Sequence, residues 1–152
     1  LASHVPSLPR IGFVFAVNGK YEKFGYHGYG PTESYKDKLI ASEYGEYFST
    51  AKDNCQPYLM PQETGSHYGS TLLDIENLVK VVADKSFSFS VLPYSTAELL
   101  KAKHDFELKG DGNVHVCIDC DMRGVGSNSC GPELKKEYEI ARKGEITFKL
   151  LF

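Results

Sequence analysis

The sequence predicts an all-β fold, a large antiparallel β-sandwich with one short helix, on three observations. Apolar residues recur at every second position in several segments, polar turn signals separate those segments, and a single stretch carries a clear helix start. Ten Tyr and nine Phe add rings that pack well on pleated surfaces.

In chain order, Ile11, Phe13, Phe15 and Val17 alternate after Pro9-Arg10, which predicts a strand with one buried face closed by the Asn18-Gly19 turn. A helix is expected over Thr32–Ala41, where Glu33 and Asp37 would share a face. Phe87, Phe89 and Val91 alternate with Ser86, Ser88 and Ser90, again predicting a strand with one apolar side. Ser95-Thr-Ala-Glu98 then reads as a capping box, with Ser95 as N-cap and Glu98 reaching back, and the helix runs to about His104. There the imidazole suits the C-terminal dipole. Gly110-Asp111-Gly112-Asn113 and Lys143-Gly144 are turns, and Ile146, Phe148 and Leu150 alternate as a final strand.

The 152 residues suit one domain with one core. A net charge of −3 offers no electrostatic attraction to nucleic acid or an anionic membrane, and no apolar run is long enough to span a bilayer. Leu1-Ala2-Ser3-His4 has neither a signal-peptide layout nor an initiating Met, so a piece of a longer polypeptide is expected, with residues 1–7 as a linker remnant. Cys117-Ile-Asp-Cys120 has zinc or redox spacing. It lies in a strand-like alternation, however, and no second Cys pair accompanies it. Small buried hydrophobes are the expected role, and reduced thiols fit a cytoplasmic location.

Four segments hold more Gly, Pro and polar residues than strand packing needs. They are Gly28-Tyr-Gly30-Pro31-Thr-Glu33-Ser-Tyr35-Lys-Asp37-Lys38, Tyr58-Leu-Met-Pro61-Gln62-Glu63-Thr-Gly65-Ser-His67, Leu92-Pro93-Tyr94-Ser95 through Glu98-Leu99 to Lys103-His104, and Cys117-Ile118-Asp119 with Met122-Arg-Gly124-Val-Gly126-Ser-Asn128-Ser129-Cys130-Gly131-Pro132. In this order, from Leu8-Pro9-Arg10-Ile11-Gly12 onward, they resemble the C-terminal domain of β-galactosidases of glycoside hydrolase family two.

That resemblance implies a non-catalytic, galactose-mutarotase-like sandwich at the C-terminal end of a multidomain enzyme acting on terminal β-D-galactosides such as lactose. It would pack on a (β/α)8 barrel that holds both catalytic glutamates, and send Gly124–Pro132 to the active-site rim. Gly126, Asn128, Ser129 and Cys130 would be the substrate-proximal residues. Glu33, Tyr35, Asp37, Gln62, Glu63 and His104 would form the structural and interdomain frame. Some members carry a Trp near the position of Cys130, and this sequence has none. The resemblance implies no cofactor in this domain, any Mg or Na requirement belonging to the parent enzyme. Its partners would be the barrel, other domains, the galactoside and further copies in a homo-oligomer.

Retaining hydrolysis needs two carboxyl groups about 5 Å apart. None of Glu33, Asp37, Glu63, Asp119 and Asp121 is assigned that role; Glu33 and Asp37 are expected to accept turn amides or to pair with Arg10 or a Lys. Two other classes stay open. A carbohydrate-binding module would use Tyr21, Tyr26, Tyr29 and Tyr35, and a mutarotase-type epimerase would use Glu63 and His67. A domain built to lie on a barrel is also expected to expose apolar surface around Gly28–Asp37 and Gly124–Pro132.

Overall fold

A computed structural model describes residues 8–126, 130–140 and 146–152; the expected linker 1–7 and the Lys143-Gly144 turn lie outside the described residues. Seven strands form: β1 (Arg10–Asn18), β2 (Lys23–Gly30), β3 (Glu43–Thr50), β4 (Ser66–Ile75), β5 (Val79–Leu92), β6 (Asn113–Met122) and β7 (Phe148–Leu151). Every pairing is antiparallel, in the order β1-β6-β5-β4-β2-β3, with β7 added to β5. Among the described residues the domain is all-β with a single short α-helix, consistent with a sandwich of the mutarotase type.

The 14-residue β5 is the spine. Along one edge it pairs with β4; along the other, β7 takes Lys80–Ala83 and β6 takes Ser88–Leu92. Phe148 of β7 meets Phe13 of β1 at 5.6 Å and Phe87 at 5.5 Å, drawing the flanks together over the core. That core holds Phe24, Tyr26, Leu73, Ile75, Val81, Phe87, Phe89, Val91, Val114, Val116 and Ile118. The β4–β5 hairpin turns at Asn77, whose φ of 59° is a left-handed conformation that Asn tolerates.

Period two held, with two departures. In β1 only Phe15 and Val17 pack on the core, while Ile11 and Phe13 are 42% and 37% exposed. β1 is an edge strand, and a register shift between Ile11 and Gly12 re-aims its start. In β5 Ser88 and Ser90 are buried as well, Ser86 alone of the three serines being exposed, because Ser90 lies in register between Ser66 and Cys117, both buried. The strand is covered on both faces, and a seryl group is small enough for the second.

The helix α1 spans Thr96–Lys101, shorter than expected. Ser95 Oγ accepts from Glu98 N at 3.1 Å, so the N-cap is as read. Glu98 is used differently: its Oε1 accepts from Lys109 N (2.8 Å) and Gly110 N (2.9 Å), tying the helix to the approach to β6. His104 therefore does not close the helix. It precedes a 3-10 turn at Asp105–Glu107 and stacks on Phe106 at 5.1 Å.

No helix forms over Thr32–Ala41. Tyr35 and Lys38 exchange backbone hydrogen bonds (3.3 and 2.9 Å), making a tight reversal around Lys36-Asp37. Glu33 and Asp37 thus serve different neighbours. Apolar exposure also lies elsewhere than expected. Ile40, Phe48, Leu59, Leu100, Phe106 and Phe152 are the most exposed large apolar groups, and among the described residues of the two expected segments Val125 joins them.

Candidate functional site

Three of the four polar segments converge on one cleft of about 720 Å³, walled by Arg10, Glu33, Tyr35, Lys38, Tyr58, Gln62, Glu63 and the Met122–Gly126 stretch. Glu33 forms its floor, 6% exposed. Its Oε1 accepts from Lys38 Nζ (2.8 Å) and the Tyr58 hydroxyl; its Oε2 accepts from Gly65 N (2.9 Å) and the Tyr35 hydroxyl (3.3 Å). Burial alone would raise its pKa, but Lys38, Tyr58 and the Gly65 amide outweigh it, holding the carboxyl below its ordinary value. An anion with four donors is a structural clamp, with no free lone pair for proton transfer.

Beside it, one guanidinium joins two acids. Arg10 lies 3.1 Å from Glu63 Oε1 and 3.4 Å from Asp119 Oδ2, and its Nη2 also approaches Met122 Sδ at 3.4 Å. This ties the edge strand β1 to β6 and to the Pro61–Gly65 segment. Arg10 pairs here, not with Glu33 or Asp37. Burial raises both carboxyl pKa values against the pull of Arg10, that of Asp119 to about 6. Asp119 Oδ2 is inaccessible and has no hydrogen-bond donor.

Asp37 grips the glycine loop. Its Oδ1 accepts from Val125 N (3.1 Å) and its Oδ2 from Gly126 N (2.8 Å). Gly124 is required at this contact, since a Cβ there would stand 2.7 Å from the Asp37 carboxyl carbon. Gly126 has a φ of +70°, which a glycine adopts without strain. Lys36 pairs with Asp121 next to it. Asp37→Asn should leave one of the two amides without its acceptor and raise hydrogen exchange at Val125 and Gly126 about tenfold or more, read by amide exchange NMR.

His67 lies behind the cleft with its ring in the core, 4.2 Å from Tyr26 and 5.2 Å from Phe89. Nε2 donates to Asn54 Oδ1 at 2.7 Å, and Nδ1 lies 3.3 Å from Tyr29 O. Burial depresses its pKa to about 4, so the ring is neutral. Asn54 spends its amide on Gly65 O (2.8 Å) and Val91 O (3.1 Å), locking the arrangement.

The expected residues thus divide. Glu33, Tyr35, Asp37, Glu63, Gln62 and Gly126 meet at the cleft or its loop; His104 does not line it. Asn128 and Ser129 lie outside the described residues, and Cys130 is exposed. Of the Tyr set expected to form a flat binding face, Tyr26 and Tyr35 are buried. The roles of Tyr58, Asn54 and Arg123 were missed. Tyr58 and Asn54 act through partners 25 and 11 residues away, Arg123 lines the cleft, and only the Gly/Pro-rich setting of Tyr58 hinted at a role. Neither a disulfide nor a group of three or more metal-binding side chains occurs among the described residues.

Known proteins place this arrangement in context. The family model of the beta galactosidase small chain matches residues 1–152. The chain is 44% identical to a beta-galactosidase of Actinobacillus pleuropneumoniae over 151 residues, 99% of this chain and 15% of that protein. It is 36% identical to the Staphylococcus xylosus beta-galactosidase over 151 residues (97% and 15%) and to that of Streptococcus thermophilus over 129 residues (82% and 13%). The chain spans 13–15% of the length of these curated relatives. Among the described residues no helix is long and apolar enough to cross a membrane. With its motifs gathered on one cleft and its whole length matched, the chain belongs to the beta-galactosidase small-chain family.

Proposed function

We propose that the chain is the non-catalytic C-terminal domain of a β-galactosidase acting on terminal β-D-galactosides such as lactose. It packs on the catalytic barrel and lends Gly124–Pro132 to the active-site rim, with Gly126, Asn128, Ser129 and Cys130 nearest the substrate. The observation that carries this reading is the Asp37 grip on Val125 and Gly126, which holds the base of that loop in one pose. A preset loop loses less entropy on meeting a ligand. The thiols of Cys55, Cys117 and Cys120 support a reducing, cytoplasmic setting.

The nearby acids support the non-catalytic reading. Glu33 is saturated with donors and Asp37 holds loop amides, while Glu63 and Asp119 share Arg10. An epimerase would need His67 as acid, but that ring is neutral, buried and bonded to Asn54. A carbohydrate-binding module would draw instead on Tyr29, Tyr44 and Tyr68, whose rings neighbour one another at 5.2 and 6.3 Å.

Cys130→Trp in the full-length enzyme is the test. It should lower KM for aryl β-galactosides about 2–10-fold with kcat little changed, because an aromatic at the rim adds stacking of about 0.5–1.5 kcal/mol to bound aglycone. Identical KM values for a panel of aglycones would place the loop away from substrate.

A further inference from the structure

Arg123 follows the last residue of β6 and opens the glycine loop. Its backbone N–H donates to Pro9 O at 3.0 Å, and its side chain lines the cleft with Arg10, Lys38, Tyr58, Gln62 and Glu63. Nε is inaccessible to solvent and has no hydrogen-bond partner, and the guanidinium makes no ion pair among the described residues. An arginine cannot shed its charge to escape this position, and buried donors in folded proteins are almost always met.

The surrounding carboxylates are committed elsewhere. Glu33 takes four donors, Asp37 takes two loop amides, Glu63 takes Arg10 and Asp121 takes Lys36. The cleft wall carries three cations (Arg10, Lys38, Arg123) and two carboxylates (Glu33, Glu63). Arg10 is paired with Glu63 and with the buried Asp119 behind the wall, and Lys38 with Glu33, which leaves Arg123 as the wall cation without an ion pair among the described residues.

We infer that the cleft is a docking seat for a carboxylate-bearing segment of the polypeptide beyond these 152 residues, with Arg123 as the cation that anchors it. The inference rests on the reading of this chain as one domain of a longer β-galactosidase, and the relatives' lengths leave ample chain to supply the segment. A planar guanidinium with an unmet N–H is matched by a carboxylate, which accepts two parallel hydrogen bonds. The concavity is of a size that admits a few side chains.

Cross-linking in the full-length enzyme tests this. Arg123→Lys keeps the cation and supplies an amine that a water-soluble carbodiimide couples to an adjacent carboxylate. Mass spectrometry should find the amide link to an Asp or Glu outside the 152 residues. Links confined to this chain's own acids, or no link, would overturn the docking. Arg123→Met provides an independent readout. It should speed hydrogen exchange in Pro61–Gly65 and Met122–Gly126 at least tenfold, because the incoming carboxylate loses its partner. Unchanged or slower exchange would mean that the guanidinium had no carboxylate to lose, and a change seen only on adding galactose would assign the cleft to sugar. Either outcome sinks the inference and leaves the Cys130→Trp kinetics to judge the rim loop separately.

Discussion

Glu33→Ala should lower folding stability by about 3–5 kcal/mol, seen as a fall in the urea midpoint without a change in slope. The size follows from what is left behind. Lys38, Tyr58, Tyr35 and the Gly65 amide all lose one acceptor at once, in a site where water cannot replace it fully. Glu33→Gln keeps the shape but turns one side of the carboxyl into a donor facing donors, so it should still cost about 2 kcal/mol. The pH dependence has a definite sign. The folded pKa of Glu33 lies below its ordinary value, so its stabilisation is present above about pH 4.5 and is lost as pH falls through the depressed value. An Ala variant as stable as the parent would show that the clamp contributes little.

The second large effect is hidden in the parent protein, because two buried groups oppose each other. His67 titrates near 4 when folded against 6.5 when unfolded, so stability falls by about 3 kcal/mol as pH drops from 6.5 to 4. Asp119 titrates near 6 when folded against 3.8 when unfolded, so stability rises by about 3 kcal/mol over nearly the same descent. Glu63, also raised, works in the direction of Asp119. The parent should therefore be nearly flat between pH 6 and 4. Asp119→Asn removes the main compensating group and should expose a loss of about 2 kcal/mol across that interval, measured by urea unfolding at each pH. A flat profile in the variant would mean that the His67 imidazole is charged or solvated in the fold.

What the sequence revealed, and what it hid, follows the range of each interaction. Alternation in Phe87–Val91 and the Ser95 N-cap are local signals, and both appear where they were read. The Thr32–Ala41 segment misled because Glu33 and Asp37 have helical spacing. Lys38, Tyr58 and Gly65 claim Glu33, while the Val125 and Gly126 amides claim Asp37, and a tight reversal serves both. Ile11 and Phe13 looked like core residues because periodicity does not say whether a strand lies at an edge. The motifs of the cleft were legible as unusually rich in Gly and Pro. That Arg10 would join Glu63 and Asp119 was not, since the partners lie 53 and 109 positions away.

Under the proposed function, this chain shapes a sugar site whose reacting groups lie on another part of the polypeptide. Incubating the purified 152-residue chain with a chromogenic β-galactoside tests that most directly. No release of chromophore above the buffer rate is the predicted result. Turnover that disappears on replacing Glu63 or Asp119 with its amide would contradict it, by placing the chemistry within this domain.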